Sequence, residues 1–136
     1  MLKKIMAAAV LVLSGYAVGR ASQTAPSHVY EMRTYTATEG KLDAVNARFR
    51  DHTRRIFERH NMKSVGYWTP LEGPTAGTTL VYILEHPSRE EARKNWAAFS
   101  ADPEWQKAKA ESEVGGRIVA KAESVFLTPT DYSPLK

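Results

Sequence analysis

The fold is decided by one stretch in the second half of the chain, Thr78-Thr79-Leu80-Val81-Tyr82-Ile83-Leu84-Glu85. Because successive side chains of a strand point to opposite faces, Leu80, Tyr82 and Leu84 share one face. Val81 and Ile83 share the other face, which is therefore apolar as well. This pattern predicts a strand inside a sheet that is covered on both sides.

Three further strands are predicted on either side of this stretch. Runs of strand-forming residues cover His28–Tyr35, Met62–Leu71 and Ile118–Leu127. The Glu-Gly-Pro-Thr-Ala-Gly turn signal that follows Leu71 joins the second and third strands into a hairpin.

Helical patterns lie between the predicted strands. Apolar residues at three- and four-residue spacing predict a first helix over about residues 39–60, with a capping box from Thr36 to Glu39 at its start. A second capping box, from Ser88 to Glu91, starts a second helix, and Asp102 precedes a short third one. The order is βαββαβ, which predicts an α+β domain with a four-stranded antiparallel sheet and helices on one face.

The second face of this sheet has no cover among the predicted elements. In the last strand Val125 and Leu127 point away from Ala122 and Phe126, so this strand is also apolar on both sides. A second copy is the economical cover, since most soluble oligomers are two-fold symmetric homodimers. We therefore expect a homodimer joined through the sheet.

The N-terminus has the charged, apolar and small-residue order of a secretory signal. Lys3 and Lys4 precede an apolar run over residues 5–17, which is shorter than the roughly 20 residues of a membrane-spanning helix. We expect a signal peptide over residues 1–21, a linker over 22–27 and one domain over 28–136. The exported protein would then be periplasmic or secreted, without a stable membrane span. A leader that is kept as an anchor is the alternative.

Charge and cysteine content argue against several classes of function. The chain has a net charge of +4, but three positive residues lie before residue 21 and the first acid is Glu31. The processed part therefore carries a net charge of about +1, which does not favour nucleic-acid binding. The lack of cysteine excludes disulfides and thiolate metal sites. We expect no cofactor, no metal and no nucleic-acid partner.

Short motifs throughout the chain after His28 carry a family resemblance. They are Arg48-Phe49-Arg50-Asp51-His52-Thr53, Val65-Gly66-Tyr67-Trp68, Trp96-Ala97-Ala98-Phe99, Asp102-Pro103-Glu104-Trp105 and Asp131-Tyr132-Ser133-Pro134-Leu135. With these motifs the chain resembles NIPSNAP domains. The resemblance implies a ferredoxin-like fold that pairs into a dimeric α/β barrel. NIPSNAP domains generally lack an assigned reaction. The wider superfamily includes cofactor-free monooxygenases, haem-handling enzymes and isomerases, but a shared fold does not transfer function.

His52 is the candidate catalytic residue. It falls between Phe49 and Ile56 on the stripe of the first helix that is expected to face the sheet. A buried imidazole there is either a base in a pocket or a core histidine with a hydrogen-bond partner such as Glu31.

Candidate ligand-binding residues lie on the strands. Glu31, Arg33 and Tyr35 alternate along the first strand and share one face. They form either a substrate clamp or a buried ion pair that fixes the dimer register. Tyr67, Trp68 and Tyr82 are candidates for the walls of the same cavity, although aromatic residues in strands are often simple packing.

Three function classes follow from this pattern. The first is a dimeric domain that binds a small apolar or aromatic molecule, or serves in assembly, without catalysis. The second is a small cofactor-free enzyme, of the monooxygenase or isomerase kind, that uses His52 with Arg33 or Tyr35. The third is haem binding, for which the only support is a histidine facing a pocket.

Overall fold

The computed structural model of the protein describes residues 28–136, so the expected signal peptide and linker lie outside the described residues. Over this range the elements follow the predicted order. The strands are β1 (Val29–Ala37), β2 (Lys63–Trp68), β3 (Thr79–His86) and β4 (Val119–Leu127).

The helices differ from the prediction in one respect. The first helical region consists of α1 (Leu42–Arg48), a π-helical segment (Phe49–Thr53) and α2 (Arg54–Arg59), which continue one another with helical backbone angles at both junctions. The remaining helices are α3 (Arg89–Ala101) and α4 (Pro103–Ser112). A π-helical turn contains one more residue than an α-helical turn, so it changes which residues face the sheet afterwards.

The predicted helix starts are correct for two helices and wrong for one. The Ser88 hydroxyl accepts a hydrogen bond from the Glu91 amide at the start of α3. The Asp102 carboxylate accepts from two amides at the start of α4, where Pro103 occupies the first turn. The expected capping box from Thr36 to Glu39 is not formed, because β1 extends to Ala37 and α1 begins only at Leu42, without a side-chain cap.

The four strands form one antiparallel sheet in the order β2-β3-β1-β4. In this register Arg33 lies between Tyr82 of β3 and Ser124 of β4. The helices pack on one side of the sheet, which we term the helix-side face. The other side is termed the open face. The fold is therefore the predicted ferredoxin-like α+β arrangement.

The core lies between the helices and the β2–β3 half of the helix-side face. Phe57 occupies its centre, with ring centroids 4.8 Å from Phe99, 5.4 Å from Trp96 and 6.0 Å from Tyr82. The other buried apolar residues include Val45, Phe49, Ile56, Met62, Leu80, Leu84 and Ile118. Burial of these side chains is the main source of stability in a domain that has no disulfide.

The C-terminal segment after Leu127 covers one end of the open face. The Tyr30 hydroxyl donates to the Lys136 carbonyl at 3.2 Å, and residues 128–135 enclose an apolar cavity of about 330 Å³ against Tyr30, Val65 and Ile83. The segment lacks regular structure, yet it is a partial cover of this face that the sequence does not predict. Trp68 and Val125 remain about half exposed on the rest of this face.

Residues 28–136 contain no helix with the length and apolar character needed to cross a membrane.

Candidate functional site

Glu31 is the centre of a buried polar network on the helix-side face. Its side chain is 2% exposed. One carboxylate oxygen accepts from Arg33 at 2.7 Å and from Ser124 at 2.6 Å. The other accepts from His86 at 2.9 Å and from the Trp96 indole at 2.7 Å. Four donors on one carboxylate satisfy most of its lone pairs, so the charge is held in place by the protein's own side chains.

The network controls the ionisation of Glu31. Burial by itself would raise the pKa of this carboxyl. The hydrogen bonds from His86, Ser124 and Trp96, together with that from Arg33, outweigh burial and lower the pKa to about 2, from an ordinary value of 4.5. A carboxyl with this pKa remains a carboxylate at neutral pH and is a poor general base.

Arg33 is the cation of this network and contacts two aromatic rings. Its guanidinium carbon lies 4.1 Å from the centre of the Trp96 ring and 5.7 Å from that of Tyr35. One terminal nitrogen is bound to Glu31, but the buried Nε has no hydrogen-bond partner. Arg33 is thus a fixed cation, stacked on an aromatic face, with part of its donor capacity unused.

The expected aromatic walls are only partly brought together. Tyr35 lies edge-on to Tyr82, with ring centroids 5.3 Å apart, and Tyr67 stacks on Tyr82 at 5.6 Å. Burial raises the pKa of Tyr82 well above its ordinary value, and its hydroxyl makes no well-formed hydrogen bond although the Tyr35 side chain is close. Trp68 pairs with Val81 and lies on the open face, so it does not belong to this cluster. The reason is strand alternation, which sends neighbouring residues to opposite faces.

The expectation that His52 faces the sheet is not met. The π-helical segment places Thr53 in the core instead, where it is 1% exposed and donates to the Arg48 carbonyl at 3.2 Å. His52 is half-buried and lines a different cavity of about 250 Å³, between the first helical region and α4. It therefore shares no cavity with Tyr35.

A cleft lies beside β4 on the helix-side face. No stretch of β4 is fully buried, and residues 120–125 are exposed in succession. Between this strand and α4 is a cavity of about 190 Å³, lined by Tyr35, Arg48, Trp105, Lys109, Glu113, Arg117, Val119 and Ala122. We term it the β4 cleft. Tyr35 connects it to the Arg33 guanidinium.

Sequence reasoning missed three members of the Glu31 network: His86, Trp96 and Ser124. His86 continues the alternation of Leu80, Tyr82 and Leu84 by one step, but β3 was expected to end at Glu85. Trp96 has the spacing of a core residue on its helix, and nothing in the sequence indicates a partner for its indole N–H. Ser124 shares the helix-side face with Ala122 and Phe126, which the alternation of β4 indicates.

A second polar cluster supports the helices. The Asp102 carboxylate accepts from His60 at 2.6 Å and from Arg59 at 2.7 Å, and it also caps α4. Hydrogen bonds from Arg59 and His60 lower the pKa of Asp102. The geometry ties α2 to α4 and is structural. Residues 28–136 contain no group of three or more His, Cys, Asp and Glu side chains that could hold a metal ion.

Comparisons with known proteins agree with this fold. The NIPSNAP family model matches residues 30–134. A crystal structure of a NIPSNAP family protein with unknown function from Agrobacterium tumefaciens is 27% identical, with a TM-score of 0.69, over 80% of this chain and 94% of that one. An uncharacterized NIPSNAP domain protein from Burkholderia xenovorans is 26% identical, with a TM-score of 0.66, over 78% and 98%.

A more distant structure shares the fold alone. SnoaB, a cofactor-independent oxygenase from Streptomyces nogalater, is 15% identical, with a TM-score of 0.51, over 79% of this chain and 98% of that one. Among curated proteins no match is found.

Proposed function

Because this chain belongs to the NIPSNAP family, and the two similar family structures described above are of a protein with unknown function and of an uncharacterized one, we propose a function on the basis of its own geometry. The protein is a homodimer that binds a small apolar or aromatic molecule in the β4 cleft and does not transfer protons to or from it. The observation that carries the proposal is the β4 cleft itself, which lies beside an exposed strand and has the aromatic rings of Tyr35 and Trp105 among its walls.

Binding is favoured over acid–base catalysis by the state of the ionisable groups. Glu31 accepts four hydrogen bonds and has a pKa of about 2, so it is not available to take a proton near neutral pH. His86 directs one ring nitrogen at Glu31 and is fully buried. His52, on which the monooxygenase, isomerase and haem hypotheses all relied, lines another cavity.

The test is the recovery of a co-purifying molecule. Native mass spectrometry of gently purified protein is expected to detect a bound species that denaturation releases. Ala122→Trp should abolish it, because the indole fills the cleft from an exposed strand position without disturbing the core. Ala97→Trp, at an exposed position of α3, is the matched control and should retain it. If Ala122→Trp retained the bound species, the result would contradict its proposed location in the β4 cleft.

The homodimer is proposed to form through the open face. Tyr30, Met32, Val81 and Ile83 are at most partly exposed there, while Trp68 and Val125 are about half exposed. A contiguous apolar surface of this kind is typical of an interface. The C-terminal segment covers only one end, which leaves room for a second copy. The β4 cleft lies on the opposite side of the sheet and remains accessible in such a dimer.

Light scattering after size-exclusion chromatography tests the interface. The wild-type protein is expected at twice the chain mass. Val125→Arg should shift it toward the monomer, because the substitution places a charge on the apolar open face. Ala98→Arg, on an exposed position of α3, should leave the mass unchanged. A wild-type monomer at micromolar concentration would contradict the proposal.

The site of action is proposed to be outside the cytoplasm, on the basis of the signal-like order of residues 1–21. Sequencing the N-terminus of the protein from a native extract tests this, and an intact Met1 on cytoplasmic protein would oppose it.

A further inference from the structure

The walls of the β4 cleft carry an excess of positive charge. Arg48, Lys109 and Arg117 line it, while Glu113 is the only acid among its lining residues. The processed chain as a whole is nearly neutral, so this excess is local. A cluster of cations around a small cavity raises the local concentration of anions and favours a ligand of opposite charge.

Arg48 is the unusual member of this group, because it is a buried cation with incomplete bonding. The residue is 5% exposed. Its Nη1 donates to Ser112 at 3.1 Å and to Glu113 at 3.3 Å, whereas its buried Nε has no partner. Burial of a guanidinium is costly unless its donors are paired, and planar guanidinium groups bind carboxylates through two parallel hydrogen bonds. An anion in the cleft would add a second counter-charge to this cation, beside that of Glu113.

The remaining walls are flat and apolar. The Arg48 guanidinium carbon lies 5.1 Å from the centre of the Trp105 ring, and Tyr35, Val119 and Ala122 complete the lining. Tyr35 is held edge-on by Phe49 at 5.8 Å and by Tyr82 at 5.3 Å, so its ring is fixed. A preformed site of this kind combines an apolar body with a few placed polar groups.

From these contacts we propose that the β4 cleft recognises an organic acid: a carboxylate held by Arg48 with Arg117 and Lys109, carried on a small flat apolar body that packs against Tyr35 and Trp105. The inference names the ligand class of the cleft and rests on the proposed function. It adds a charge requirement, which the proposed function does not contain.

Calorimetric titration of the purified protein with four probes tests the requirement. Benzoate carries both the carboxylate and the flat body, benzyl alcohol carries the body alone, and acetate and inorganic phosphate carry charge without the body. We expect benzoate to bind at least about tenfold more tightly than each of the other three, since a charge-assisted pair and the apolar contact are both needed.

Two substitutions test which cations of the cleft contribute to benzoate binding. Arg117→Gln is at an exposed position after α4 and should weaken benzoate binding by about five- to tenfold without loss of folding. Lys109→Gln should act in the same direction, whereas Lys107→Gln, on the same helix but outside the cleft, should have no effect. High salt should weaken binding in the wild type more than in Arg117→Gln.

The outcomes separate the two proposals. Equal binding of benzoate and benzyl alcohol, or of benzoate and phosphate, would overturn the organic-acid inference while leaving a ligand site in the cleft. The same holds if no probe binds at millimolar concentration, because the co-purification test stands on its own. Benzoate binding that survives Ala122→Trp would overturn the cleft itself.

Discussion

The two halves of the helix-side face differ in what lies on them. The β2–β3 half is sealed: Tyr82 and Leu84 have no exposed surface, and the Phe57 ring of α2 covers that of Tyr82. The β1–β4 half carries Glu31 and Arg33 and ends at a strand that is exposed along most of its length. The helix-side face thus has an apolar half, β2–β3, that the helices cover fully, and a polar half, β1–β4, that they cover only in part.

This difference indicates that the two halves contribute differently, one to stability and the other to the positions of polar side chains. Apolar burial on the sealed half is non-directional and contributes most of the folding free energy. The polar network on the β1–β4 half fixes side chains in defined directions, which packing alone does not do. Glu31 therefore holds Arg33 in one position, although the neighbouring strand β4 is exposed.

The largest effect is expected on the sealed half. Phe57→Ala should lower the free energy of unfolding by about 3–5 kcal/mol, since it leaves a cavity among Phe99, Trp96 and Tyr82. Phe126→Ala, the matched change on β4, should cost less than half as much because Phe126 is partly exposed. Urea denaturation measures both. Equal losses of unfolding free energy in the two variants would mean that the two halves are packed alike.

On the β1–β4 half, Glu31→Gln should lower the free energy of unfolding at pH 7 by about 3 kcal/mol. The change removes the charge of a carboxylate that is 2% exposed and leaves the partly buried Arg33 without its partner, and breaking such a pair from one side is strongly destabilising. Glu123→Gln, on the exposed side of β4, should be close to neutral. A stable Glu31→Gln protein would show that the network is not an anchor.

Acidification should reveal the same network. The pKa of Glu31 is lowered by folding to about 2 from 4.5, so the folded state binds this proton less readily than the unfolded state. Its contribution is complete above pH 4.5 and is lost as the pH falls from 4.5 toward 2. The wild-type unfolding free energy should decline over this window, and the decline should be shallower in Glu31→Gln. Parallel profiles would contradict this assignment.

Ser124→Ala should have a moderate effect, about 1 kcal/mol, because it removes one of four donors to Glu31 at a position that water can reach. It should also raise the pKa of Glu31, so that acid unfolding begins at a higher pH. Ser100→Ala, at an exposed position of α3, serves as the control. An unchanged acid transition would place Ser124 outside the network.

The smallest effect is expected at His52. His52→Gln should change the unfolding free energy by less than about 0.5 kcal/mol and leave benzoate binding unaltered, because the ring is half-buried in a separate cavity. Thermal unfolding and calorimetry provide the measurements. A loss of binding would instead restore His52 as a site residue and break the division between the halves.

Sequence periodicity was sufficient for the element order and for the shared face of Glu31, Arg33 and Tyr35, because alternation along a strand needs no tertiary information. It was not sufficient for His52, because the phase of a helix after a π-helical segment depends on one extra residue. The pairing of Glu31 with His86 depends on strand register across 55 positions, which no local pattern contains.

The cleft itself was also beyond the sequence. Tyr35 is a candidate from the sequence, whereas Arg48 belongs to a basic stretch that is typical of a solvated helix side and is instead buried against Trp105 and Glu113. Its burial follows from how α4 crosses α1, which is a tertiary property. The residues that line the cleft are spread over residues 35–122.

The π-helical segment gives the first helical region one place at which its length can change. Deleting one residue within Phe49–Thr53 would restore an ordinary α-helical turn, and the residues after it would keep their direction because the turn that is lost holds the extra residue. Ile56 and Phe57 would then stay in the core. The same deletion within α2 would instead rotate the residues after it by about 100° about the helix axis. A relative that is one residue shorter in this region can therefore keep the same core residues, provided that the gap in the alignment is placed within Phe49–Thr53.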